Sequence, residues 1–243
     1  MRMICYGSSS KGNGYLLEGE KETLLIEAGL PISRVRKAVP DWSKVVGCLI
    51  SHRHSDHTKS IADIMKSGVD VYANEDVWNW YKDKDINANK KMLEAEYTRE
   101  IGEFKVLPLN ANHDVPCFSF LIYHPEMGKL LFVTDSAGCD YSFEGVNHIM
   151  IECNYSEPCL MQAIEEGRTK QFVADRTRET HFSIEGLIKF LATPHLLDDV
   201  KEVILLHLSH ENSDPSQFPL TVEKSCARPT YVAAEGLELD FTM

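Results

Sequence analysis

Four side chains able to bind a metal fall within six residues in the segment Ser51-His52-Arg53-His54-Ser55-Asp56-His57. Before them runs Val45-Val46-Gly47-Cys48-Leu49-Ile50, an apolar stretch that reads as a buried strand. After them, Thr58-Lys59-Ser60-Ile61 reads as a helix start. The four ligands therefore sit on a strand-to-helix loop, the kind of connection on which a rigid scaffold carries its chemistry. His52 and His54, two residues apart, can converge on one cation, and Asp56 and His57 can face a second. Imidazole with carboxylate suits Zn, Mn or Fe, whereas Mg or Ca would favour an all-oxygen set.

Strand-like and helical blocks occur in both halves of the chain. Ile4-Cys5-Tyr6, Tyr15-Leu16-Leu17 and Glu22 to Ile26 read as strands, and Pro31 opens a helix over Ile32 to Val39. Val69 to Tyr72 reads as a strand and Glu75 to Tyr81 as a helix, followed by a polar, exposed excursion over 82–100. Strands recur from Phe104 to Val133, at His148 to Ile151 and at Val203 to Leu206. Residues 157–195 read as helical, and Thr230 to Ala233 with Leu237 to Phe241 as a closing hairpin. The pattern predicts an α+β fold of two mixed sheets packed face to face with helices outside. With no linker or repeat, residues 1–243 read as one domain.

Hydrophobic residues make up 43% and charged residues 26% of the 243, which is ordinary for a globular protein. No apolar run is long enough to span a bilayer, and Met1 to Tyr6 lacks a signal-peptide core, so a cytoplasmic protein without membrane partners is expected. The seven cysteines are scattered without a CxxC pair, and read as free thiols rather than disulfides or a thiolate metal site. The formal charge of −12 argues against strong, non-specific binding to nucleic acid.

Three polar positions just after strand-like segments can supply further ligands: His113, Asp135 and His207. His124, His148, His195 and His210 lack ligand spacing and read as surface or capping residues. The HxHxDH loop resembles the metal-binding motif of the metallo-β-lactamase-fold hydrolases, whose third His, bridging Asp and last His match His113, Asp135 and His207 in order. The resemblance implies an αββα sandwich and two divalent ions, Zn or Mn with Fe possible. His52, His54 and His113 would hold one ion and Asp56, His57 and His207 the other, with Asp135 between them.

Three more segments narrow the branch. Ser8-Ser9-Ser10-Lys11-Gly12-Asn13 resembles an SS-x-x-GN loop, Glu152-Cys153-Asn154-Tyr155 an E-x-NY turn, and His207-Leu208-Ser209-His210-Glu211-Asn212 an HLS-x-EN ending. Together they resemble the YycJ/WalJ branch, relatives of ribonuclease Z. One departure is Thr180-His181-Phe182-Ser183, where the branch has a GHLS-like segment.

The branch implies a metal-dependent phosphodiesterase, a DNA-exonuclease-like enzyme in which two cations activate water. Asp56, His181 and Glu152 are its expected catalytic residues: Asp56 orients the nucleophile, His181 steadies the phosphoryl oxygens or protonates the leaving oxygen, and Glu152 keeps His181 protonated. Ser9, Asn13 and Ser209 are expected to face substrate. Arg168, Lys170, Arg176 and Arg178 form either a phosphate-facing strip or an ordinary solvated helix face. The acidity keeps hydrolysis of a small phosphodiester open as an alternative to nucleic acid. A glyoxalase II-type thioesterase is disfavoured by Asn112-His113-Asp114, and a non-catalytic binding module by the complete ligand set.

Overall fold

In the computed structural model, residues 1–81 and 89–243 are described. The chain opens with three strands, β1 (Arg2–Gly7), β2 (Gly14–Glu18) and β3 (Thr23–Ile26). Helix α1 (Ile32–Ala38) and β4 (Val45–Leu49) follow, then α2 (Ser55–Thr58), α3 (Ile61–Lys66), β5 (Val71–Ala73), α4 (Glu75–Trp80) and β6 (Lys90–Met92). The next strands are β7 (Arg99–Ile101), β8 (Phe104–Ala111), β9 (Cys117–His124), β10 (Gly128–Val133) and β11 (His148–Glu152). Three helices, α5 (Glu157–Glu165), α6 (Gln171–Thr180) and α7 (Ile184–Leu191), precede β12 (Glu202–Leu206). The chain ends with α8 (Phe218–Cys226), β13 (Thr230–Val232) and β14 (Leu237–Asp240).

Among the described residues the strands form two seven-stranded sheets, ordered β14-β1-β2-β3-β4-β5-β6 and β13-β12-β11-β10-β9-β8-β7. Both mix parallel and antiparallel pairs. β1, β2 and β3 pair antiparallel, whereas β3, β4, β5 and β6 run parallel. In the second sheet β10, β11, β12 and β13 run parallel and β7 pairs antiparallel with β8. The α+β class expected from the sequence is therefore present.

Two compact units are distinguished. One comprises Met1–Asn110, Val115–Gly128 and Ala234–Met243, and the other Ala111–Asp114 and Lys129–Ala233. In the first, helices α1, α3 and α4 bury Val35, Ile64, Met65 and Val77 against Leu16, Leu25, Cys48 and Val71. Each such side chain contributes about 1.5–3 kcal/mol by leaving water. In the second, every residue of β11 is buried, as expected of a central parallel strand covered on both faces. The parallel strands matter for function because open sheets of this kind place ligands beyond the carboxyl ends of their strands. His52 lies just past β4, Asp135 past β10, Glu152 at the end of β11 and His207 past β12.

Three local expectations change. The last two strands do not form a hairpin: β13 runs parallel to β12, and β14 pairs antiparallel with β1, Met3 opposite Leu239. The excursion over 82–100 contains β6 and β7, three-residue strands too short and polar to alternate; of that reading, residues 82–88 lie outside the described residues. His124 and His148 are buried rather than superficial. His148 pairs with Glu202, its partner across the β11–β12 register, and His124 Nε2 lies 3.5 Å from Glu22 against the Phe104 ring.

Candidate metal centre

The ligand loop leaves β4 in an extended conformation and turns into α2 at Ser55, with His54 at the N-cap. His52 and His57 are fully buried. His52 Nε2 and His54 Nδ1 face each other at 3.0 Å. Two imidazole nitrogens that close are arranged as neighbouring ligands of one ion, each bonding at about 2.0–2.1 Å. His52 Nδ1 is engaged on its other side by Ser51 Oγ at 2.9 Å and by Cys117 Sγ at 3.5 Å. Those contacts fix the ring and leave Nε2 as the nitrogen that could bind a metal.

His57 is held in the same fashion. Its Nδ1 lies 3.3 Å from Glu27 Oε1, and Glu27 is also fully buried. A buried carboxylate behind an imidazole sets its tautomer and raises its basicity as a ligand. His57 Nε2 then faces Asp56 Oδ2 at 3.4 Å and the Asn13 amide at 3.0 Å. Glu27 adopts a left-handed backbone, φ 68°, an uncommon conformation kept where the surroundings over-determine it. The loop is clamped to the N-terminal turn by Asn13 N donating to the Asp56 carbonyl at 2.8 Å and Ala28 N to that of His57 at 2.9 Å. Gly29 permits this approach: a Cβ there would lie 1.6 Å from the Asp56 carbonyl oxygen.

The second unit brings together Asp135, Glu152, His181 and His207, whose ligand atoms lie within 4.8 Å of one another. Glu152, fully buried, organises them. Its Oε1 accepts from His181 Nδ1 at 2.6 Å and from His207 Nδ1 at 3.2 Å. Its Oε2 accepts from the backbone N–H of Ser136 and of Phe182, each at 3.0 Å. Both imidazoles donate through Nδ1, so both present Nε2 away from Glu152. Their rings stack 5.6 Å apart. Burial alone would raise the Glu152 pKa, but the His181 charge and the bonds from His181 and His207 override it and hold the carboxyl below its usual range. Burial likewise opposes charging of His181, yet Glu152, and secondarily Asp135, raise its pKa above that of a free imidazole.

His207 also has a left-handed backbone, φ 51°, secured by the Asn154 amide donating to its carbonyl at 2.9 Å. Asp135 Oδ1 lies 3.6 Å from His207 Nδ1 and accepts from Thr134 Oγ1 at 3.0 Å. His113 donates from Nδ1 to the Thr180 carbonyl at 2.9 Å, which leaves Nε2 as the nitrogen that could bind a metal. No glycine is required before His181, since Thr180 is the last residue of helix α6 and has no left-handed backbone.

The expected substrate-facing residues divide. Asn13 is fully buried against His57 and Asp56. The Ser9 hydroxyl accepts from Lys11 N at 3.2 Å within its own turn, and the Ser209 hydroxyl accepts from Asn212 N at 3.2 Å. Of the four cations near His181, Arg168 is paired with Glu166 and Glu211, Arg176 with Asp114, and Arg178 with Glu157 and Asp175. Sequence reasoning missed Glu27, Cys117 and Thr180, which orient ligands from 30, 65 and 67 residues away. Only Glu27 left a trace, as an acid ending an apolar strand just before Ala28-Gly29.

The donor set fits divalent transition metals: several imidazoles, carboxylates beside them, and neighbouring groups that fix the ring nitrogen turned away from the cluster. No helix among the described residues is long and apolar enough to cross a membrane. The chain is 26% identical over 249 residues to exodeoxyribonuclease WalJ of Streptococcus pneumoniae serotype 2, covering 96% of this chain and 90% of the relative. It is 24% identical to exodeoxyribonuclease YycJ of Bacillus anthracis, covering 97% and 92%. The structure of Zn(2+)-bound PqqB from Methylobacterium extorquens shares the fold, with a TM-score of 0.76 over 99% of this chain and 100% of its own at 16% identity. Residues 23–208 match the model described as the beta-lactamase superfamily domain, and the chain belongs to that family.

Proposed function

We propose that this protein is a metal-dependent phosphodiesterase that degrades DNA from an end, acting as a single hydrolase domain in the cytoplasm. The observation that carries the reading is the match to two exodeoxyribonucleases along nearly the whole chain, 96% and 97% of it, ligand loop included. The family match from residue 23 to residue 208 runs through both compact units, which supports treating them as one domain.

His52, His54 and His113 would hold one divalent ion, Zn or Mn, and Asp56, His57 and His207 a second, with Asp135 serving both. When bound, such a pair lowers the pKa of water and neutralises phosphoryl charge. The chain's own groups do the rest. Asp56 accepts a hydrogen bond from the attacking water and aligns it. His181, kept protonated by Glu152, donates from Nε2 to the oxygen that leaves phosphorus, a role worth about 10²–10⁴ in rate. Glu152 is a positioning residue: it touches two imidazoles and two backbone N–H groups. Ser9 and Ser209 would face the substrate, and Asn13, buried against His57 and Asp56, would hold those two side chains toward it.

A second reading, hydrolysis of a small phosphodiester, is favoured by the net charge of −12 and by the pairing of Arg168, Arg176 and Arg178 with carboxylates. The test compares turnover of end-labelled DNA, RNA and bis(p-nitrophenyl) phosphate with Mn or Zn supplied. Stepwise shortening of DNA supports the nuclease. Fast turnover of the small ester with intact DNA and RNA supports the alternative.

A further inference from the structure

Helix α6 carries an exposed aromatic side chain that the proposed chemistry leaves unused. Phe172, in its first turn, is 69% exposed, and the adjacent Val173 is 41% exposed. Single exposed apolar residues are common and need no explanation. Two further observations set Phe172 apart. Lys170 Nζ stands 6.0 Å from its ring centroid, so a cation is held at an accessible aromatic face. The helix that carries it runs directly to the candidate site: its C-cap is His181, and its last residue, Thr180, accepts from His113.

We infer that Phe172 is a stacking platform for one unpaired base of single-stranded DNA, with Lys170 contacting the adjoining phosphate. This rests on the nuclease reading above. Eight residues lie between Phe172 and the C-cap His181, nine steps or about 14 Å at 1.5 Å per residue. That length corresponds to about four stacked nucleotides at 3.4 Å each, and fewer in a stretched strand. The base under Phe172 therefore lies a few nucleotides from the scissile phosphate.

Charge decides between stacking and phosphate binding as the main contact. The arginines on or flanking α6 are paired with carboxylates, and Asp175 and Glu179 are exposed on the same helix. A strand held by phosphates would meet these acids, whereas a ring face accepts any base whatever its sequence. The surface thus selects single-stranded over duplex DNA, because a paired base cannot leave its stack without cost.

The test uses metal-loaded full-length protein and end-labelled single-stranded oligonucleotides from two to twelve nucleotides. Phe172→Ala should raise KM for the longer substrates about 5- to 100-fold, the range for one lost stacking contact. The effect should vanish for the dinucleotide, and Phe172→Trp should restore the wild-type value. An abasic residue walked along the strand should weaken the wild type at one position, a few nucleotides from the cut, and leave Phe172→Ala indifferent there. Wild-type degradation of DNA with an unchanged KM in Phe172→Ala, or with no sensitive abasic position, overturns the inference while the nuclease reading stands. A wild type that leaves every oligonucleotide intact overturns both.

Discussion

Glu152 and His181 form a buried carboxylate–imidazole pair, with Oε1 accepting from Nδ1 at 2.6 Å. The pair lies where an acid–base group belongs, at the carboxyl end of β11 and the C-cap of α6. It raises the His181 pKa and lowers that of Glu152, the direction that favours an imidazolium beside a carboxylate. A ligand imidazole must be neutral, so the raised pKa favours an acid–base role for His181 over a ligand role.

His181→Ala should therefore keep the metal content of the wild type and lose about 10²–10⁴ in rate. Elemental analysis of the variant alongside its turnover of bis(p-nitrophenyl) phosphate checks both halves. Loss of metal would make His181 a ligand and reverse its assignment relative to His207.

Glu27 Oε1 lies 3.3 Å behind His57 Nδ1 and would act on a metal held by His57 without touching the ion. Glu27→Gln keeps the shape and removes the charge behind His57 Nδ1. The apparent metal affinity should fall about 10- to 100-fold, the usual result of losing such a partner. Competition with a chromophoric chelator measures this independently of activity. An unchanged affinity would mean that the Glu27–His57 contact serves folding alone.

Burial raises the Cys5 thiol pKa to about 12 and pushes Cys48 and Cys153 well above the usual thiol range. At pH 8.5 these three thiols should stay protonated and resist iodoacetamide in the native protein. The half-exposed Cys159 should be labelled first, and all seven cysteines only after denaturation. Peptide mapping gives the order, and rapid native labelling of Cys48 or Cys153 would contradict the burial of β4 and the β11 terminus.

Salt dependence reports how the protein holds a polyanion. Arg168, Arg176 and Arg178 are paired with carboxylates and the chain carries a net charge of −12, so few phosphate contacts are expected. The slope of log affinity against log salt on a non-cleavable oligonucleotide should be shallow, about 0.7 to 0.9 per contact. A slope on the order of ten would require an extensive basic groove.

The ligand loop was legible because four ligand-type residues follow an apolar strand within six positions, a density that local pattern reading detects. The α+β class followed from strand and helix blocks of ordinary length. What stayed hidden is non-local or short. Thr180 and Cys117 reach His113 and His52 across more than sixty residues, and nothing near either one marks it. β6 and β7, three residues each, are too short to show alternation, and β14 returns to β1 rather than to its sequence neighbour β13. His148 looked superficial because its partner, Glu202, becomes visible only once β11 and β12 are in register.

Metal stoichiometry tests the central claim most directly. Elemental analysis after reconstitution with Zn or Mn should give up to two ions per chain, and His52→Ala and Asp135→Ala should each lose metal together with activity. A wild-type chain that binds no transition metal under those conditions, or variants that keep the full complement, would contradict the assignment of His52, His54, Asp56, His57, His113, Asp135 and His207 as ligands.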